Sequence, residues 1–256
     1  MKNITDFAVF IMVHGRPDKM WTLKTLRKQG YTGKVFLVGE NVDSGDNTGD
    51  MRSTLFAVNT IFDIAKEKKI KHFFIMCDDY RAFYHKFDNN LKYKEKKVKN
   101  LDKAICSLLT FYKKTNALTI AFAQNGDFIG GQNGSFATRI KLHRKAMNTF
   151  LCSVERPFKF VGRLNEDVTT YVKLGSRGGL FLTIPNIAIS QMPTQKAEGG
   201  LTDVYLDYGT YTKSFFSVMY NPSCVKVSQI GYKEKRMHHK INWNSAVPKI
   251  INEKYR

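Results

Sequence analysis

The first apolar run, Phe7 to Val13, shows no polar alternation and is closed by His14-Gly15-Arg16-Pro17. A short continuous run bounded by turn residues predicts a strand buried on both faces. Pro17 suits the first turn of a helix continuing to about Gln29, where Gly30 supplies a left-handed stop. Val35 to Val38 predicts a second buried strand, ended by Gly39. After the polar stretch Glu40 to Gly49, the residues Leu55, Val58, Phe62 and Ala65 recur at helical spacing, so Arg52 to Lys68 reads as an amphipathic helix. His72 to Met76 is a third strand. A lysine-rich patch follows, then a helix near Leu101 to Tyr112 and a fourth strand at Leu118 to Ala123. This alternation implies an α/β fold with a mostly parallel central sheet and helices on both faces.

The second half is less regular. Ile140 to Phe150 and Glu166 to Leu174 predict helices, Leu180 to Ile184 a strand, and Asn244 to Glu253 a last short helix. Pro193 to Gly209, rich in Gly, Thr and Asp, predicts a loop over a site. No internal repeat or clean linker divides the chain, so one domain spanning 1–256 is expected.

Lys2 before the first apolar run has the look of a signal peptide, but Asp6 directly precedes that run and no small-residue cleavage site follows. No apolar run approaches the roughly 20 residues a membrane span needs. Cys77, Cys106, Cys152 and Cys224 lie far apart, without zinc-site spacing, and are expected to be reduced thiols in a cytoplasmic protein.

Charge changes the picture. Lys and Arg number 41 against 22 Asp and Glu, a formal net charge of +19. An enzyme of small neutral metabolites has no need of that excess, whereas a polyanionic partner such as nucleic acid does. The cations fall in three stretches: Arg81 with Lys86 to Lys103 (Lys92, Lys94, Lys96 and Lys97 among them), Arg139 to Lys145 (with Lys141 and Arg144), and Lys226 to Lys240 (with Lys235 and Arg236). The first interleaves Tyr80, Phe83, Tyr84, Phe87 and Tyr93 with its lysines, a mixture that grips phosphates and stacks on bases. A solvated lysine face with its aromatics turned to the core is the alternative.

In open α/β sheets, ligands bind outside the carboxyl ends of the strands. Arg16, Asp43 with Asp46, Asp78 with Asp79, and Asn125 with Asp127 follow the four predicted strands. Two carboxylates closing a buried strand, as in Cys77-Asp78-Asp79-Tyr80, are costly unless neutralised. Mg²⁺ or Mn²⁺ does so by bridging carboxylates to substrate phosphates; a helix cap or a lysine partner would serve as well. There is no GxxxxGK[ST] and no GxGxxG after the first strand, which disfavours a Walker-type hydrolase and a dinucleotide oxidoreductase. Arg16 can pair with a phosphate or stack on a base, or simply sit exposed beside a helix start. In Gly162-Arg163-Leu164-Asn165-Glu166-Asp167, Asn165 can cap the next helix and the acids can meet its dipole. Alternatively, one of those carboxylates takes a proton from an attacking hydroxyl. His238-His239 is either a surface pair or an imidazole beside a metal or diphosphate.

Together these residues resemble the GT-A fold glycosyltransferases, and more narrowly the TET-associated glycosyltransferases of bacteriophages. The likeness spans almost the whole chain. It rests on the first strand with Arg16-Pro17-Asp18, on Leu37-Val38-Gly39-Glu40 with Asp43, on Cys77-Asp78-Asp79-Tyr80, on Asn165-Glu166-Asp167 and on His238. Cys77 stands where the fuller acidic motif carries another carboxylate. The resemblance implies a Rossmann-like sheet in which Asp79 and Asp78, with His238 or His239, hold Mn²⁺ or Mg²⁺ on the diphosphate of a UDP-sugar. Asp167 or Glu166 would be the base, and the acceptor a hydroxylated or hydroxymethylated pyrimidine such as hydroxymethylcytosine in DNA. Arg16, Gly39, Asp43 and Arg52 are then expected near the nucleotide, and Asn125 with Gly131 near the sugar. Residues 1–125 would form the nucleotide-sugar half and 126–256 the acceptor half. The Ala197 to Leu201 segment is expected to close over the donor, in the host-cell cytoplasm if the chain is phage-encoded. Three rivals remain at this point: a transferase acting on a glycan, a non-catalytic DNA-binding relative, and a nucleotidyltransferase using a triphosphate.

Overall fold

In the computed structural model the opening apolar run becomes β1 (Phe7–Met12), parallel to β2 (Lys34–Val38) on one side and to β3 (His72–Cys77) on the other. The structure describes residues 4–13, 20–39, 54–128, 131–134, 146, 148–191, 202–209, 211–230 and 235–248. Both faces of β1 and β3 are covered. Ala8, Phe10, Phe73 and Ile75 pack against α2 (Thr54–Glu67) and α4 (Glu166–Gly175). Phe7, Val9, Ile11, Phe74 and Met76 pack on the other side against α1 (Trp21–Lys28) and α3 (Leu101–Lys113). Strands sandwiched in this way have no solvent face, which is why their sequences read as continuous apolar runs.

The sheet is completed by β4 (Tyr80–Phe87), β5 (Tyr93–Lys97), β6 (Thr119–Gln124), β7 (Thr149–Ser153) and β8 (Phe181–Gln191), in the order β2-β1-β3-β7-β6-β8-β4-β5. β7 runs antiparallel to β3 and β6, and β4 antiparallel to β8 and β5, so these two oppose the other six. Strands from early and late sequence interleave in this one sheet. Beyond it, α5 (Thr202–Tyr208) and α6 (Thr212–Tyr220) precede the antiparallel pair β9 (Val225–Ile230) and β10 (Arg236–Ile241), and α7 (Trp243–Ala246) follows. α6 packs on α4 and on that pair.

Gly30 has φ +85°, and a β-carbon there would lie 2.8 Å from the Lys99 carbonyl oxygen, so the expected left-handed stop of α1 is a position only glycine fits. Other expectations change. The lysine-rich patch is the β4–β5 pair. The helix expected over Ile140 to Phe150 is overturned at its end, where Thr149 and Phe150 begin β7; 140–145 and 147 lie outside the described residues. Pairing between β3 and β6 overrides the local helical spacing there. Within the loop expected over Pro193 to Gly209, Thr202–Tyr208 is helical, and 193–201 lie outside the described residues. The last helix stops at Ala246, since Val247 precedes Pro248 and is extended (φ −114°, ψ 153°); residues 249–253 are not described. All four cysteines are free thiols, and among the described residues no helix is long and apolar enough to cross a membrane.

Candidate active site

The Asp78-Asp79 turn leaves β3 at the carboxyl edge of the sheet and is held there by the start of α1. The Thr22 amide donates to the Asp78 carbonyl (3.0 Å). The Thr22 hydroxyl donates to the Cys77 carbonyl (2.6 Å) and accepts from the Tyr80 amide (2.9 Å). Thr25 adds a bond to the Tyr80 carbonyl (3.0 Å). The fully buried Tyr80 hydroxyl accepts from the Cys77 amide (3.1 Å) and donates to the Asn148 carbonyl, while the Asn148 amide donates to Gln191 at the end of β8. Asp78 is buried at 4% exposure and Asp79 is half-buried, with one carboxylate oxygen of each shielded from solvent. The backbone of the turn is therefore fixed from several elements, and its carboxylates are partly withdrawn from solvent.

The second acidic pair opens α4. The Thr54 hydroxyl, at the start of α2, donates to Glu166 Oε1 (2.5 Å), and the Val168 amide donates to Asp167 Oδ1 (2.7 Å). Burial of its carboxyl, reinforced by the Asp167 charge, pushes Glu166 up to about 7 against the pull of Thr54. Burial chiefly, then Asp79, Asp78 and Glu166 in that order, raises the Cys77 thiol. Burial likewise raises the Tyr205 hydroxyl, helped by Glu166 and Asp167. The two acidic pairs, far apart in sequence, thus share one electrostatic environment, with Cys77 and Tyr205 inside it.

Asn165 occupies the cap position of α4 in the left-handed region (φ +59°), but its side chain makes no capping bond. The expected cap is replaced by an outward link: Asn165 Nδ2 donates to Ser217 Oγ of α6 (2.6 Å) and reaches His239 Nδ1 of β10 at 3.3 Å. Asn tolerates that backbone region better than most residues because it is small and polar. His239 is buried and His238 half-buried, their rings 4.0 Å apart. His239 is thereby tied to the Asn165-Glu166-Asp167 motif. Among the described residues no three His, Cys, Asp or Glu side chains form a metal-holding group. The aspartate pair by itself offers hard oxygen donors of the kind that hold Mg²⁺ through one or two carboxylates with substrate phosphates and water.

The remaining expected residues divide. Gly39 is exposed just after β2, with open space around it, and Asn125 is exposed just after β6. Asp127 accepts from the Gln124 amide (2.8 Å) and so closes the end of β6. Gly131 (φ +57°) lies beside the Tyr93 ring, at the β4–β5 pair. Arg81 is exposed and stacks its guanidinium 3.8 Å over Trp21. Lys92, Lys94, Lys96, Lys97 and Lys235 are exposed. Arg236 begins β10, where its backbone is paired with Ile230. Arg16, Asp43, Arg52, Arg139, Lys141 and Arg144 lie outside the described residues, as does 197–201. Of the aromatics interleaved with the first basic stretch, Tyr80 and Phe83 are core residues and not free to stack on bases. Thr22, Thr54, Asn148, Tyr205 and Ser217 carried no motif. Thr54 meets Glu166 across 112 positions, a pairing that local pattern does not signal.

An α/β sheet of this order, with a buried Asp-Asp turn at its strand ends and a second acidic pair opening a helix beside it, is the GT-A-like architecture of a group-transferring enzyme. Comparison with family models matches residues 40–200, more than half of the 256-residue chain and both acidic pairs, to TET-Associated Glycosyltransferase. The chain belongs to that family of glycosyltransferases. No curated protein matches it.

Proposed function

We propose that the protein moves a sugar from a nucleotide diphosphate, a UDP-sugar, onto the hydroxyl of a hydroxylated or hydroxymethylated pyrimidine in DNA, in the cytoplasm and with Mn²⁺ or Mg²⁺. The observation that carries the reading is the meeting of Asp78-Asp79 with Glu166-Asp167 at one strand-end edge, in a chain of net charge +19. Asp78 and Asp79 would hold the cation against the donor, and the cation would supply charge neutralisation to the departing diphosphate. The bond from the anomeric carbon to the phosphate oxygen breaks as the acceptor oxygen bonds to that carbon. The acceptor proton passes to the Glu166-Asp167 pair. With Glu166 at about 7, its carboxyl still holds a proton about half of the time at neutrality, and Asp167 is the base. Asn165 sets the direction of both through Ser217 and His239.

The charge supports DNA as the acceptor, since one diphosphate needs only a cation and a few polar groups. The C5 substituents of pyrimidines project into the major groove, so the hydroxyl is reachable without extracting the base. The test offers UDP-sugars one at a time with DNA bearing hydroxymethylcytosine, hydroxymethyluracil or plain cytosine, read by nucleoside mass spectrometry. A hexose or pentose mass on a modified nucleoside, lost on chelation, is the expected result. Donor turnover with no mass added to any DNA overturns the acceptor, and transfer to a glycan would replace it.

A further inference from the structure

A cavity of about 860 Å³ lies between α3 and the outer strands of the sheet, within the range of ligand sites and unused by the reaction above. Its rim is cationic. Lys94, Lys96 and Lys97 come from β5, Lys99 from the link and Lys103 from the first turn of α3, and all five are exposed. The carboxylate on the lining, Asp88, is committed to its own turn by bonds from the Asn90 (2.9 Å) and Lys92 (3.0 Å) amides. Glu95, on the same strand, is ion-paired with buried Lys86. Asn100, Lys103 and Ala104 bring the positive end of α3 to the same rim. The wall is apolar, built from Phe111, Leu108, Phe122, Ile184 and Ile187.

Exposed lysines alone would be a solvated face, and an apolar hollow alone a packing gap. Side by side they suit a ligand with phosphate on one edge and a flat apolar ring on the other. We infer that this cavity takes one unpaired nucleotide unit, its base against the Phe111 and Leu108 wall and its phosphates among Lys96, Lys99 and Lys103. A duplex offers phosphates but no free base face, so the wall selects an unpaired unit. At about 3.3 Å per residue, His85 on the lining lies about 17 Å along β4 from Tyr80, which makes the cavity a grip on the strand away from the reacting nucleotide. That role rests on DNA being the acceptor; a free nucleotide offers the same chemistry, and the arms of the test separate the two.

The full chain is titrated by fluorescence anisotropy with a labelled single-stranded oligonucleotide and with its duplex, and dCMP is used as competitor. Single strand is expected to bind about tenfold tighter than duplex, the order of one base stacked on an apolar wall. The pair Lys96→Glu with Lys103→Glu should weaken single-strand binding at least about tenfold through lost phosphate contacts. Ser107→Trp should weaken it comparably without touching charge, because Ser107 is an exposed lining residue of α3 and its indole fills the cavity. Lys66→Glu with Lys68→Glu makes the same charge change on exposed residues at and just past the end of α2, which packs on the opposite face of the sheet, and should cost less than about threefold. Equal losses from the two charge pairs, or unchanged binding by Ser107→Trp, overturn the cavity even if the wild type glycosylates DNA. Should the wild type glycosylate no DNA while the variants separate as stated, the cavity stands and the acceptor falls. Competition by dCMP that follows the same variants identifies a free nucleotide as the source, and its absence identifies the strand.

Discussion

β4 connects two regions of opposite charge. At its start, the Asp78-Asp79 turn and the Glu166-Asp167 pair are partly withdrawn from water and tied by Thr22, Thr54, Tyr80 and Asn165, and Asp79, Asp78 and Glu166 all act on the buried Cys77 thiol. At its far end, β5 carries Lys94, Lys96 and Lys97 into open solvent, with exposed Lys92 just before it. In the first region each charge acts through a fixed position in a poorly screened setting, so single residues matter. In the second, charges act as a field that salt screens, so effects are graded and shared. An exposed lysine row on the outermost strand also discourages pairing with other sheets, which gives the row a second use.

The sharpest way to break this contrast is Asp79→Asn. It should lower sugar transfer about a thousandfold at saturating substrates, the order expected when charge stabilisation of a leaving diphosphate is lost. Circular dichroism should be unchanged, and Lys94→Ala assayed beside it should lose less than about threefold in turnover. The one buried cation of the basic region tests the same logic from the other side. Lys86, 2% exposed, pairs with Glu95 and sits 4.8 Å over the Phe128 ring. Glu95→Gln should cost about 2 kcal/mol in urea unfolding, discounted from a fully buried pair because Glu95 is partly exposed, while Lys96→Gln should cost less than about 0.5 kcal/mol.

Asn165 sharpens the comparison by separating position from charge. Asn165→Ala loses the Ser217 and His239 contacts and puts alanine at φ +59°, an expected cost of about 2 kcal/mol. Asn165→Gly should recover part of that stability yet keep the same loss of turnover, which a merely structural role would not produce.

Glu166 supplies the pH dependence. Its folded value of about 7 lies above the ordinary 4.5, so the folded protein holds that proton more tightly than the unfolded chain. Stability therefore falls as pH rises from about 4.5 to about 7, and Glu166→Gln should flatten that slope in thermal unfolding. Burial first, then the Asp167 charge, set the raised Glu166 value against the pull of the Thr54 hydrogen bond. With Asp167 as the base, transfer should not follow the ionisation of Glu166, and a rise with pH through about 7 would point to Glu166 instead. Glu166→Gln should therefore keep most of its transfer near neutral pH. Complete loss of transfer in that variant would make Glu166 the base instead. The smallest effect is Lys96→Ala alone, a few-fold weaker DNA binding whose salt dependence is shallower by about one counterion.

Much of this was readable in the chain. β1, β3, α2 and α3 announce themselves because sandwiched strands cannot hide polar residues and because helix stripes repeat, whereas β2, expected to be buried, is an edge strand with Leu37 about half exposed. The acidic pairs stand out for the opposite reason, as carboxylates placed where burial makes them costly. The β4–β5 pair was illegible because β5 is mostly lysine and because the buried positions Tyr80, Ala82 and Phe83 of β4 break the two-residue period at a register shift. β7 was misread as helix because its identity comes from its partners β3 and β6. The link of Asn165 to His239 depends on α6 and β10 arriving from elsewhere, so a residue that reads as a cap becomes a tie.

The most direct test of the division between the two ends is a steady-state comparison of Asp79→Asn with Lys94→Glu and Lys96→Glu, using UDP-sugar and hydroxymethylated DNA. The acidic-end variant should lose kcat by about a thousandfold with KM for DNA within about threefold of wild type, and the lysine variants should raise KM for DNA several-fold with kcat nearly unchanged. If both kinds of variant move the same parameter, chemistry and acceptor binding are not divided between the two ends of β4.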